Sequence, residues 1–333
     1  MSAQVLGGHS GASFSAILGH EEAKKHLSEA VRDGHISHAY LIEGIPGVGK
    51  KMLADAFVAE LFGTDEERRL LSHGNHPDVK KIRPLPEKKS ISKEQIQTDL
   101  VGDIDIRPYK GRYKVYIIEE ADKLTVEAQN TMLKTIEEPP AYGVILLLAE
   151  RASSFLPTIL SRCVKISLQP LPVEMITEVL VRRGILEEQA RAAAVFAQGS
   201  LGKAQMLLSD QDFSAMRKDL FGFLSRVLEL KPIDVLRGAG LFETYKKETQ
   251  QLLDLMLLWV RDELIYLATG DPDRILTVDY LQEICRGAEE YSLEKLCEIV
   301  LLIRQIDTGL SQNVNRDLAL DRLMTGLMIE REG

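Results

Sequence analysis

The chain has 333 residues, of which 45% are hydrophobic and 27% charged, and it carries a formal net charge of −9. That length accommodates two or three domains with real cores, and the composition excludes a disordered chain. The acidic balance excludes tight nucleic-acid binding driven by bulk charge, leaving only a local basic patch open. The longest apolar stretches, such as Val144 to Ala149, are far too short for a membrane span. The Gly- and Ser-rich N-terminus lacks the basic-then-apolar layout of a secretory signal. Cys163, Cys285 and Cys297 are too dispersed for a disulfide framework, and a reducing, cytoplasmic location is expected.

In chain order, Ala39 to Ile42 is a short apolar run that ends at a Gly-rich turn. Lys51 to Phe62 then places Leu53, Phe57, Val58 and Leu61 at helical spacing. Val79 to Ile82 reads as a strand, and Leu85 to Ser90 as a loop by its Pro and charge content. Ser92-Lys93-Glu94-Gln95 matches a capping box and predicts a helix start. Val115 to Ile118 is a buried strand, and Thr125 to Glu138 is a helix stopped by Pro139 and Pro140. Val144 to Ala149 and Val164 to Leu168 complete the strands. Strands separated by helices predict a parallel sheet covered on both faces. After Gln169-Pro170-Leu171-Pro172 the pattern is helical with almost no strand signal. A small block runs to about Ser209 with a turn at Gln198-Gly199-Ser200, and a longer block follows from about Asp212. Leu252 to Leu267 is its strongest apolar helix, interrupted by Thr269-Gly270-Asp271-Pro272.

Gly44-Ile45-Pro46-Gly47-Val48-Gly49-Lys50-Lys51 follows a strand and opens a helix, which is the context of a phosphate-binding loop. Gly44, Gly47 and Gly49 let backbone N–H groups face phosphate oxygens, the helix N-terminus adds a favourable dipole, and Lys50 is placed to reach the outer phosphates. The next position calls for a hydroxyl that ligates Mg²⁺, and Lys51 stands there instead. An ammonium cannot ligate a cation and repels one nearby. The second acidic element, Val115 to Asp122, puts Glu119 and Glu120 just past a buried strand. Carboxylates there can hold a metal-bound water, but Glu119 occupies a position where such motifs carry the shorter Asp.

Further segments carry a resemblance. Asn130 to Pro140 (NTMLKTIEEPP) resembles the helix after the acidic motif in AAA+ clamp-loader subunits, and Ser161-Arg162-Cys163 matches that family's Ser-Arg-Cys motif. His38-Ala39-Tyr40-Leu41 and Gly74-Asn75-His76-Pro77-Asp78-Val79 are similar to the delta-prime type within it. The resemblance covers residues 14 to about 210. Further on it is weaker, with Gln312-Asn313-Val314-Asn315 suiting the family's collar. It implies an α/β plus all-α chain: an AAA+ RecA-like parallel-sheet core over residues 1–169, a helical lid over 170–210, and a helical collar for oligomerisation over 211–333. It implies a role as a clamp-loader subunit of the bacterial replicative DNA polymerase III holoenzyme. The partners it implies are tau/gamma motor subunits and a delta subunit in a ring, with the sliding clamp and primed DNA. Arg162 is then the arginine that reaches across to a neighbour's ATP. A guanidinium suits that role because it is permanently charged and bridges phosphate oxygens.

Departures from the hydrolysing members point one way. Ala149-Glu150 lacks their polar sensor, and Gly199-Ser200-Leu201-Gly202 lacks their lid arginine. With Lys51, these losses predict a degenerate nucleotide site at Gly44, Gly47, Gly49, Lys50, Glu119 and Glu120. No ATPase activity by the chain alone and no resident cofactor are expected, and weak residual nucleotide binding stays open. The stretch from Phe62 to His73, where many clamp-loader subunits carry a four-cysteine zinc module, has no cysteine, so no zinc is expected and His73 and His76 read as surface residues. Two basic clusters could follow DNA phosphates: Lys80, Lys81, Arg83, Lys88, Lys89 and Lys93, then Arg107, Lys110, Arg112 and Lys114. No aromatic interleaving supports base stacking. The competing functions are an active clamp-loader ATPase and a stand-alone DNA-binding module.

Overall fold

The computed structural model describes residues 13–328 apart from 87, 210, 312 and 313. Glu87 of the predicted loop, and Gln312 and Asn313 of the collar motif, lie outside the described residues. Five strands form one parallel sheet: β1 (Ala39–Glu43), β2 (Val79–Ile82), β3 (Lys114–Ile118), β4 (Gly143–Ala149) and β5 (Val164–Ser167), in the order β2-β3-β4-β1-β5. β4 therefore lies between the two strands that carry the phosphate-loop sequence and the acidic element.

The continuous apolar runs have a direct explanation, since both sheet faces are covered. Tyr40, Ile42, Val115, Ile117, Val144, Leu146 and Leu148 pack on one side with Leu27, Leu53 and Phe57. Their alternates, Leu41, Tyr116, Ile118, Ile145 and Leu147, pack on the other with Ile96, Leu100, Met132 and Ile136. Period-two alternation thus feeds two cores rather than one core and solvent. Helices Glu21–Arg32 and Lys50–Leu61 supply the first core, and Val126–Glu137 the second.

The capping signal at Ser92 is half realised. The Ser92 side chain accepts from the Gln95 N–H at 3.4 Å, and a helix starts at Lys93. The Gln95 side chain does not return to the cap, because its amide donates to the Arg83 carbonyl at 2.8 Å instead. It ties the end of β2 to that helix.

The chain divides into two compact units. One holds the described residues up to Pro172 together with Gly199–Gly202, and the other holds Val173–Gln198 and the described residues from Lys203 onward. The second is helical throughout, with no strand among its described residues. Its centre is the helix Thr249–Thr269, whose Leu252, Leu255, Met256, Trp259 and Val260 are buried with Phe221, Phe242, Ile303 and Leu323. Gly270, in the left-handed conformation at φ 65°, ends that helix at the predicted interruption. Asn315 of the predicted collar motif caps the last helix, Arg316–Gly326, by accepting from the Leu318 N–H at 3.2 Å.

Candidate functional site

The loop after β1 is shaped by glycines where no other residue fits. Gly47 and Gly49 have φ of 72° and 120°, in the region that side chains avoid. A Cβ on Gly44 would lie 2.8 Å from the Leu168 carbonyl oxygen. Lys50 opens the following helix and folds into this loop, donating to the carbonyls of Gly44 (2.5 Å) and Ile45 (3.0 Å). Burial lowers the Lys50 pKa, opposed by the charges of Glu150 and Asp122. The loop is closed from another side by Gly202, whose N–H donates to the Gly47 carbonyl at 3.1 Å. A Cβ there would sit 3.1 Å from the Gly47 backbone.

Lys51 defines the character of the site. Its ammonium lies 2.9 Å from the Glu119 carboxylate at the end of β3. The two side chains expected to frame a metal-bound water instead neutralise each other. Glu120 turns elsewhere: with φ 52° it starts a short 3₁₀ turn and its carboxylate pairs with Lys123. The predicted loop residues, Lys51 and Glu119 thus come together, and Glu120 does not join them. Mg²⁺ fits poorly here, because an ammonium offers three donors and no acceptor and already holds the nearby carboxylate. The described residues contain no group of three or more His, Cys, Asp or Glu able to hold a metal.

Arg162 follows a short helix, Pro157–Leu160. Its Nη1 donates to the Thr158 carbonyl and to Ser161 Oγ, both at 3.0 Å. Its Nη2 lies 3.0 Å from the Glu137 carboxylate, with 39% of the arginine side chain exposed.

Several functional neighbours escaped the sequence reading. Glu43, the residue before Gly44, accepts from the Ala152 N–H at 2.8 Å and Ser167 Oγ at 2.6 Å and pairs with Lys165 at 2.8 Å. Burial alone would raise its pKa, but these partners hold it below the ordinary carboxylate value. Asp78 accepts the backbone N–H groups of Tyr109 (2.5 Å), Lys110 (2.8 Å) and Gly111 (2.8 Å). Those donors outweigh its burial and hold its pKa below the ordinary value. An Asp next to a strand start is the only signal the sequence offered for that clasp.

One expectation needs correction, and another is narrowed. His76 is not a surface residue: it is 4% exposed, packs at a tilt with its ring centroid 4.3 Å from that of Phe62, and accepts from the Asp78 N–H at 3.2 Å. Burial pushes its pKa down. In the basic clusters, four of the ten side chains are engaged by carboxylates of the chain itself. Lys80 pairs with Asp99, Lys81 with Asp55, Lys110 with Glu66 and Lys114 with Asp103, at 2.7–3.1 Å. Lys114 is buried outright.

A parallel sheet with a glycine loop after one strand and acids at the end of another defines a nucleotide-binding α/β fold of the AAA+ type, here joined to an all-helical part. The family model described as "DNA polymerase III, delta subunit" matches residues 19–172. DNA polymerase III subunit delta-prime of Bacillus subtilis is 28% identical over 320 residues, covering 90% of this chain and 93% of that protein. The Pseudomonas aeruginosa subunit of the same name is 29% identical, covering 86% and 90%. DNA polymerase III subunit tau/gamma of Haemophilus influenzae is 32% identical, covering 60% of this chain and 30% of that protein. The chain is thus similar along most of its length to delta-prime subunits of DNA polymerase III, and its first part matches the family model. None of its described helices is long and apolar enough to cross a membrane.

Proposed function

We propose that this chain is a ring member of a clamp loader that helps place the sliding clamp on primed DNA. In this reading it does not turn over ATP itself and donates Arg162 to the ATP site of a neighbouring motor subunit. The observation that carries the reading is the Lys51–Glu119 ion pair at 2.9 Å. It puts a fixed organic cation where hydrolysis needs an exchangeable divalent one. The buried Ala149 that ends β4, and Gly202 packed on Gly47 where the lid arginine is absent, support it further. Weak nucleotide binding by Lys50 and the loop N–H groups is compatible with this role.

The partners in this reading are tau/gamma motor subunits and a delta subunit. Residues 170–210 would serve as the lid and 211–333 as the collar through which the ring assembles. Arg162 acts by charge: a guanidinium placed at a transferring phosphoryl group stabilises the negative charge that develops on its oxygens. The ion pairs of Lys80, Lys81, Lys110 and Lys114 count against a stand-alone DNA-binding module.

The test is reconstitution with cognate motor and delta subunits, clamp and primed DNA. Arg162→Ala should leave assembly intact while DNA-stimulated ATPase and clamp loading fall by about 10²-fold or more. Normal turnover in an assembled complex would reduce Arg162 to a surface ion-pair residue and end the trans-acting role.

A further inference from the structure

We infer that Glu137 is a positioning residue for Arg162, presenting its guanidinium in one orientation to an anion outside this chain. This rests on the trans-acting reading of Arg162.

The pair comes from two separate elements. Glu137 is the last residue of the helix Val126–Glu137, which Pro139 and Pro140 prevent from continuing. Arg162 stands just past the helix Pro157–Leu160. A carboxylate at a helix C-terminus faces the negative end of the helix dipole, so that position disfavours an acid lacking a cation. Arg162 supplies the cation at 3.0 Å.

The guanidinium is held from two directions. Thr158 and Ser161 fix Nη1 from its own segment, and Glu137 fixes Nη2 from the end of another helix. An arginine with only local contacts would sample many rotamers and lose that freedom on meeting a phosphate. Two anchors on different nitrogens remove much of that loss before the encounter.

Stability does not explain the arrangement. The side chains are 39% and 44% exposed, and an ion pair that open to water contributes little to folding. The same exposure leaves the guanidinium accessible to a third group. Glu137 was part of the Glu-Glu-Pro-Pro sequence that suggested the family, yet the role inferred here follows from its contact rather than from that motif.

The experiment compares wild type, Glu137→Gln, Arg162→Ala and the double variant in the reconstituted complex, reading kcat and KM for ATP under DNA stimulation. Gln keeps the size of Glu, removes its charge and sits on an exposed helix end, so the variant should fold and assemble. The expected result for Glu137→Gln is a kcat lower by about threefold to tenfold with KM unchanged. The double variant should be no slower than Arg162→Ala alone. Full activity of Glu137→Gln beside a slow Arg162→Ala would overturn the positioning role and leave the trans-acting arginine standing. A faster Glu137→Gln would make the carboxylate a competitor for the arginine, which also overturns it. A further loss on the Arg162→Ala background would mean that Glu137 acts on something else. Full activity of Arg162→Ala itself would remove the underlying reading and the inference with it.

Discussion

Lys51 is the residue on which the proposed loss of hydrolysis turns, because its ammonium pairs with Glu119. Gly47 and Gly49 take positive φ, the helix starts at Lys50, and the cation beside Glu119 is an ammonium. Breaking the pair should therefore restore metal dependence. Lys51→Thr replaces the ammonium with a hydroxyl that can ligate Mg²⁺ and frees Glu119 for a metal-bound water. ATP binding by the wild type should be insensitive to Mg²⁺, whereas the variant should bind at least about tenfold more tightly with Mg²⁺ than without it. Isothermal titration of both proteins with and without the metal decides this. Equal Mg²⁺ response in the two would mean that Lys51 does not control the site. Asp78 carries a second residue-scale expectation. Asp78→Ala removes the shared acceptor of three part-buried N–H donors and should cost about 1–3 kcal/mol in urea unfolding near neutral pH. Its folded pKa lies below the ordinary 3.8, so its contribution is complete above that value and fades as pH falls below it. The gap between variant and wild type should narrow in that acid range. A gap that stays constant with pH would show that the carboxylate charge is not what holds the 109–111 segment.

At the scale of elements, the helix Thr249–Thr269 carries a feature that its apolar pattern does not announce. Glu263 is 4% exposed, accepts from Trp259 Nε1 at 2.8 Å, and lies so near Gly287 that a Cβ there would come within 2.4 Å of its Oε1. Burial raises its pKa from the ordinary 4.5 to about 8, with Asp262 pushing the same way and the Trp259 hydrogen bond pulling against it. The folded chain therefore keeps this proton over a range where the unfolded chain has released it. Stability contributed through Glu263 is complete below pH 4.5 and is lost progressively as pH rises toward 8. Glu263→Gln keeps an acceptor for Trp259 without the titration. Its stability relative to wild type should rise across that window, most visibly near pH 8, in thermal melts at several pH values. A constant difference at every pH would mean that Glu263 is already ionised in the fold. Legibility at this scale divides along clear lines. Strands were readable because apolar residues fill both faces, which makes the runs continuous and easy to bound. Buried acids were not readable: Glu263 and Asp262 look like solvent-facing positions in a helix, and only the packing of Leu281–Glu290 and residues 276–277 around them shows otherwise.

For the molecule as a whole, the sequence marked the change from alternating strands and helices to helices alone near Pro170–Pro172, beside the boundary between the two units at Pro172 and Val173. Residues Gly199–Gly202 were harder to place. They belong with the sheet-containing unit because Gly199 accepts from the Leu171 N–H and Gly202 donates to the Gly47 carbonyl, contacts that arise only once the chain has folded back. Lys51 with Glu119 and Glu137 with Arg162 were hidden for the same reason: each residue was visible, but its partner was set by sheet order. Each unit has a core of its own, which leads to the final expectation. Trp259 is the single tryptophan and lies wholly within the helical unit, so its fluorescence reports that unit. Leu147→Ala empties a fully buried site between sheet and helices, and Leu255→Ala a fully buried site in the helical core. Each should cost about 2–5 kcal/mol in its own unit. If the two cores unfold as separate cooperative units, Leu255→Ala moves the Trp259 transition in urea to lower denaturant and Leu147→Ala leaves it in place. Far-ultraviolet circular dichroism, which reports backbone structure throughout the chain, should register both substitutions. An equal shift of the fluorescence transition by both would mean that the two cores melt as one, so that damage to the nucleotide-type core would be felt directly by the helices proposed to assemble the ring.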